Sequence, residues 1–260
     1  MDWVAPHLNE GLGNRFFQYA CAKAYAEKNK KQLVFFLPRC NKTNHGSFEN
    51  MFNLFPEVPI IETAISWNEV YEKENSYYKY DEIPLCNTPL LITGCRQSYK
   101  YFSHTKIQPN FVNCIGLDRI QYLDKKYLEK KENLFFIHIR LGDFKFLIHH
   151  QIDIAKYYIK AVELIPECNI LVFSDEPELV KGLITIPHTI VYETHEVESL
   201  YIMSNCLKGA IVGNSTFSFW GAYLAHEKSA NHIAYFPSKM GQGLPVLEDY
   251  IPTWGTIIEV

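Results

Sequence analysis

The sequence predicts an α/β protein built on parallel sheet, and its second half carries most of that prediction. Leu134-Phe135-Phe136-Ile137-His138-Ile139 is a continuous apolar run of strand length, the pattern of a strand covered on both faces. Beyond it, short apolar runs alternate with amphipathic helical segments, as successive β–α units require. Polar clusters fall where several of these strands end, which is where ligands sit in open parallel sheets.

In chain order, Gly11-Leu12-Gly13-Asn14 leads into a helix over 15–28, followed by a strand over 32–36. The segment before Gly11 reads as a poor strand, because Pro6 and His7 interrupt it. Residues 41–50 are polar and loop-like, 69–81 are charged and rich in Tyr, and a strand over 90–93 ends at Gly94. After the 134–139 strand, Ile154, Tyr158, Ala161, Val162 and Ile165 fall on one face of a helix. Strands over 169–173, 189–192, 210–213 and 232–236 then alternate with helices over 177–184, 197–206 and 217–225. The polar run Lys130-Lys131-Glu132-Asn133 sets the expected boundary within 124–133. The chain then divides into an N-terminal lobe over 1–130 and a C-terminal lobe over 131–260.

Composition narrows the function. A net charge of −4 with no Lys/Arg-rich face argues against a nucleic-acid partner, whose backbone demands a basic field. The seven cysteines are scattered and never form C-x-x-C, so reduced thiols are expected rather than zinc or a disulfide framework. No run approaches the ~18 apolar residues of a membrane span, and the N-terminus lacks a leader pattern. The expectation is a cytoplasmic protein without an integral membrane segment.

Several phrases carry chemistry. In His138-x-Arg140-x-Gly142-Asp143, Arg140 offers a planar, permanently charged fork suited to phosphate. Gly142 permits a sharp turn, and Asp143 either orients the arginine or accepts a proton. Asn214-Ser215-Thr216-Phe217 follows a strand and opens a helix, where hydroxyls and free N–H groups cap the helix or meet an anion; Phe217 is placed to stack on a base. Ser174-Asp175 ends another strand, and Asp175 either receives hydrogen bonds from a base or ribose or caps the next helix. Gly11 and Gly13 before the first helix allow close approach of a ligand, but G-x-G-x-x-G fails at Phe16. H-E-x-x-H, D-x-D, the Walker loop and the Gly-x-Ser-x-Gly elbow are missing from the sequence, so no metal is expected and hydrolase chemistry is disfavoured.

Together these phrases resemble the α-1,2-fucosyltransferases of glycosyltransferase family 11. The family's G-G-L-G-N-Q-x-F-Q-Y-A is similar to Glu10 through Ala20, and its G-Y-F-Q-S-x-K-Y-F to Gly94 through Phe102. Its H-x-R-x-G-D-Y resembles His138 through Phe144, its F-S-D-D Phe173 through Glu176, and its N-S-T-F-S-W-W-G-A-W-L Asn214 through Leu224. The phrases fall in family order. Departures stand at Glu10, Arg15 and Leu141, where the family has Gly, Gln and a second Arg.

The resemblance implies a GT-B-like pair of Rossmann-type lobes with the donor site in the C-terminal lobe. It implies inverting transfer of fucose from GDP-fucose to the 2-hydroxyl of a galactose-type glycan acceptor, without metal or cofactor. Arg140 and the helix opening at Asn214 would stabilise the departing GDP, and His138 would position the diphosphate. Asp143 is the first candidate base, with His149 or His150 next. Gly11, Gly13, Asn14, Ser174, Asp175, Asn214, Ser215, Thr216 and Phe217 complete the expected donor site. Two alternatives stay open: transfer of another deoxysugar such as rhamnose, and a nucleotide-sugar-binding protein without catalysis. A dinucleotide oxidoreductase rests only on the α/β alternation.

Overall fold

The structure is a computed structural model that describes residues 2–40, 46–63, 65–74, 76–147, 150–244 and 247–260. The chain divides into two units, residues 1–114 with 248–250, and residues 115–247 with 251–260. This division falls before the expected 130/131 boundary. The polar run at 130–133 forms a short helical turn that leads into the 134–139 strand inside the second unit, while the helix preceding it is fastened there by paired hydrogen bonds from Arg119 to Glu198, both 2.7 Å.

In the first unit, β1 (Trp3–Pro6) leads to α1 (Leu12–Lys28), β2 (Gln32–Leu33), β3 (Phe35–Phe36) and α2 (Glu49–Leu54). β4 (Ile60–Ile61), β5 (Asn68–Val70), β6 (Leu90–Ile92) and α3 (Phe111–Ile115) follow. The main sheet is parallel, in the order β2-β1-β6-β5, and β3 pairs separately with β4. The single strand expected over 32–36 is thus two. At its middle the backbone changes partner, since Val34 N–H reaches Val4 O and Phe35 N–H reaches Pro59 O.

The poor strand before Gly11 is in fact an interior one. Alternation explains how Pro6 is tolerated. His7 N–H bonds Ile92 O at 2.9 Å, so the nitrogen of Pro6 points the other way, past the point where pairing with β2 has ended. Its missing N–H therefore costs no ladder bond. Helix α1 begins at Leu12 rather than at 15, and its Cys21, Ala22, Tyr25 and Ala26 pack on Val4, Leu90 and Ile92. Glu10, where the family pattern has glycine, has φ +60°.

In the second unit, α4 (Leu117–Tyr127) precedes β7 (Leu134–Ile139), α5 (Ile154–Val162), β8 (Asn169–Ser174) and α6 (Pro177–Val180). β9 (Thr189–Ile190), α7 (Glu196–Met203), β10 (Gly209–Ile211), α8 (Thr216–His226), β11 (Ile233–Pro237) and β12 (Gly255–Ile258) complete it. Helix α6 stops short of the expected 184 because Gly182 interrupts it. The sheet is parallel, in the order β12-β11-β10-β7-β8-β9. The chain starts at β7, works outward to β9, then returns to the other side of β7 at β10. The switch point therefore lies between β7 and β10.

All of β7 is buried, as its apolar run predicts. Phe135, Ile137 and Ile139 share one core with Tyr157, Tyr158 and Ala161 of α5. By strand alternation Phe136 and His138 face the opposite side, where Phe136 meets α8 at Gly221 and His138 lies 5.9 Å from the Phe217 ring. Among the described residues no helix is long and apolar enough to cross a membrane.

Candidate active site

The site is assembled at the carboxyl ends of β7, β8 and β10, adjacent strands around the switch point. Three of the sequence phrases, 138–143, 174–175 and 214–217, converge there. Gly11, Gly13 and Asn14 belong to the first unit. There Gly11 caps α1 in extended geometry, Gly13 is buried in the first helical turn, and Asn14 Oδ1 accepts from Gln97 Nε2 at 2.8 Å. That bond joins the 10–20 and 94–102 phrases.

Arg140 stands just past the end of β7, half-buried between two carboxylates. Its Nε and Nη2 donate to Asp143 Oδ1 at 3.1 and 2.8 Å, and Nε lies 3.1 Å from Asp175 Oδ2. The side chain also passes over the Phe144 ring, 5.6 Å from its centroid. Asp175 does a second job, because its Oδ1 accepts from the Leu141 amide at 2.9 Å. Its carboxylate thereby holds the turn after β7. The neighbouring Ser174 hydroxyl is turned back to accept from Glu176 N–H at 3.0 Å. Gly142 is required by this arrangement, since a Cβ there would lie 2.3 Å from Asp175 Oδ2.

His138 is buried, and its Nδ1 has no hydrogen-bond partner among the described residues. Burial, reinforced by the nearby Arg140 charge, holds its pKa down to about 4, so the imidazole is neutral at physiological pH. It can therefore serve an anion as a hydrogen-bond donor but not as a cation. Across the switch point, Gly213 lets the two strand exits approach. A Cβ at Gly213 would meet His138 O at 2.6 Å, the Tyr158 hydroxyl at 3.1 Å and His138 Nδ1 at 3.2 Å.

Helix α8 begins immediately after Gly213 and Asn214. Ser215 is its N-cap and accepts from Phe217 N–H at 3.3 Å, while Ser215, Thr216 and Phe217 remain half-buried at the opening. The first helical N–H groups and the positive end of the helix dipole thus sit across the switch point from His138. Asn214 has another use. Its amide donates to His150 O at 2.6 Å and Met240 O at 3.2 Å, tying two loops to the strand exit.

A cavity of about 210 Å³ opens beside Arg140, lined by Leu141, Phe144, His150, Ile152, Ile154 and Asn214 among others. It falls below the roughly 300–1,000 Å³ of pockets for drug-sized ligands. Leu141, where the family pattern has arginine, is buried in the α5 core as well as lining this cavity. His150 stacks on Phe144 with ring centroids 4.6 Å apart. His149, the other alternative base, lies outside the described residues.

Two tyrosines of α5 also bear on the site. Tyr158 donates to His138 O at 2.5 Å, and Tyr157 donates to Val212 O at 2.6 Å and Tyr235 O at 3.0 Å. The His138 and Val212 carbonyls lie at the exits of β7 and β10 beside the switch point, the Tyr235 carbonyl lies midway along β11, and α5 ties all three with phenolic hydroxyls. Periodicity placed Tyr158 on the core face, but nothing in the spacing says where its hydroxyl points. Among the described residues no group of three or more His, Cys, Asp and Glu side chains is gathered to hold a metal ion.

Two parallel α/β units, the second with a guanidinium fork and a helix N-terminus at its switch point, are the architecture of GT-B-like glycosyltransferases. The family described as "Glycosyl transferase family 11" matches residues 3–242, and the chain belongs to it. It is 28% identical to the O-antigen biosynthesis glycosyltransferase WbnK of Escherichia coli, over 84% of this chain and 88% of that protein. It is 27% identical to an alpha-1,2-colitosyltransferase of Escherichia coli, over 91% and 92% respectively. The fold is similar to that of the NodZ alpha-1,6-fucosyltransferase co-crystallized with GDP, with TM-score 0.53 and 16% identity, covering 86% of this chain and 92% of that one. The fucosyltransferase NodZ from Bradyrhizobium gives the same TM-score, 0.53, at 15% identity and the same coverage, 86% and 92%.

Proposed function

We propose that this glycosyltransferase transfers L-fucose, with inversion, from GDP-fucose to the 2-hydroxyl of a galactose-type residue in a glycan. The observation that carries the reading is the pairing of Arg140 and neutral His138 with the N-terminus of α8 across one switch point. A diphosphate there would meet a permanent cation, a buried imidazole and free helical N–H groups. These stabilise the negative charge that builds on GDP as the glycosidic bond breaks. Because protein groups supply that stabilisation, the reaction is proposed to need no metal and no cofactor.

The fucosyl and GDP parts of the reading are supported by the NodZ fold likeness, and the α-1,2 linkage by the name of the colitosyltransferase relative. Its setting is supported by the relative named for O-antigen biosynthesis: a cytoplasmic enzyme, working peripherally where the glycan is assembled. Asp143 is engaged with Arg140, which supports a role as the arginine's ion-pair partner over that of proton acceptor. His150, on the cavity wall, is then the candidate base among the described residues. A second reading, transfer of another deoxysugar, is favoured by Leu141 in place of the family's second arginine and by the colitosyl name.

A donor screen tests this. GDP release from GDP-fucose should persist in EDTA and fall by about 10²–10³ in Arg140→Ala. Turnover of UDP- or dTDP-linked sugars in place of GDP-linked ones would sink the donor assignment. GDP binding without hydrolysis or transfer over an acceptor panel would instead mark a binding protein.

A further inference from the structure

Arg140 is held by two carboxylates that differ in how they are themselves held. Asp175 is fixed, because its Oδ1 accepts the Leu141 amide while its Oδ2 faces Arg140 Nε at 3.1 Å. It could leave only by freeing a backbone donor at a strand exit. Asp143 lies on the short turn Asp143–Lys145 and is the more exposed of the two, at 39% against 22% for its side chain. Its Oδ1 takes both Nε and Nη2, occupying one whole edge of the guanidinium fork. That edge is the one a phosphate would use for a bidentate contact.

We infer that Asp143 is a displaceable counter-ion of Arg140, holding the fork in the empty enzyme and yielding it to the donor diphosphate, while Asp175 is the fixed positioning residue. The inference rests on the reading of Arg140 as the diphosphate cation. Asp143 competes with the diphosphate from within the chain, so it weakens GDP binding and speeds GDP release after transfer. Asp175 acts in the opposite sense, because it keeps the fork and the 140–142 turn where the diphosphate needs them. No proton or bond changes hands in either role.

Calorimetry with GDP on the full chain separates the two carboxylates, with a thermal melt confirming that each variant is folded. Asp143→Asn should tighten GDP by about two- to fivefold, the range of a partly exposed ion pair. The gain should vanish in an Arg140→Ala background. Stopped-flow displacement should show slower GDP release from Asp143→Asn. Asp175→Ala should weaken GDP by about tenfold, as loss of a charge-assisted backbone bond implies. Asp175→Asn, which keeps an oxygen for the Leu141 amide, should recover part of that loss. The inference is overturned if Asp143→Asn weakens GDP binding, or tightens it equally when Arg140 is absent. Should Arg140→Ala leave GDP affinity unchanged, the donor-site reading fails and the inference falls with it. If Arg140→Ala weakens GDP but Asp143→Asn does not tighten it, only the inference falls.

Discussion

At the scale of single residues, close approach and backbone conformation decide more than side-chain chemistry. Gly213 exists as glycine because His138 O, His138 Nδ1 and the Tyr158 hydroxyl crowd the place of a Cβ. Gly213→Ala must push β7 and β10 apart at the switch point. It should cost about 1–3 kcal/mol in urea unfolding, the usual range for overpacking, and lower transferase turnover beyond that. Glu10 shows the reverse case. At φ +60° it occupies a conformation that favours glycine, and the family pattern has glycine there. Glu10→Gly removes the left-handed strain but adds freedom to the unfolded chain. A net gain of about 0.5–1 kcal/mol is expected in urea denaturation; a loss of stability would show that contacts of the Glu10 side chain outweigh the strain.

At the scale of elements, α5 braces the site although it contributes no residue named for donor chemistry. Tyr158 satisfies the His138 carbonyl and Tyr157 the Val212 and Tyr235 carbonyls, which belong to β7, the exit of β10 and β11. Tyr158→Phe leaves the His138 carbonyl without that donor in a dry environment. The expected cost is about 1–3 kcal/mol, read from the urea midpoint, with weaker GDP binding because His138 loses its anchor. Unchanged stability and GDP affinity would mean that another donor replaces the phenol. The elements were largely legible in the sequence where periodicity was strong. The β7 run, the α5 face and the β–α alternation after it all follow from burial on one or two faces, which leaves a direct mark in residue order. β1 was not legible, because a proline reads as a break unless one knows which neighbour its nitrogen faces. Its place inside the sheet depends on β2 ending early, a fact of pairing rather than of local pattern.

At the scale of the molecule, buried neutral histidines tie stability to pH. Burial lowers His138 to about 4 and His232 to about 3, with His226 adding to the effect on His232. Both ring nitrogens of His232 lack a hydrogen-bond partner among the described residues. In the unfolded chain each titrates near 6.5. Between that value and the folded one the unfolded state binds more protons, so stability is fully present above pH 6.5 and is lost as pH falls toward 4. Each group contributes on the order of 3 kcal/mol to that slope. Urea midpoints measured from pH 7.5 to 4.5 should fall steadily, and more gently in His232→Leu. A flat profile over that window would show that these imidazoles are not held neutral by burial.

The same division runs through the site itself. Residue order alone determined the parallel α/β class, the family phrases and the placing of 138–143, 174–175 and 214–217 at strand exits, while the sheet order made those exits neighbours. Periodicity, motif spacing and strand ends are all written along the chain. Only the tertiary structure decided what each group is engaged with. Asp175 pins a turn and faces Arg140, Asn214 ties loops together, Asp143 sits on the arginine fork, and His138 is neutral. These are properties of through-space partners and of burial. The linear pattern supplies the residue types, while hydrogen-bond choice and charge state are fixed only when distant segments close around them.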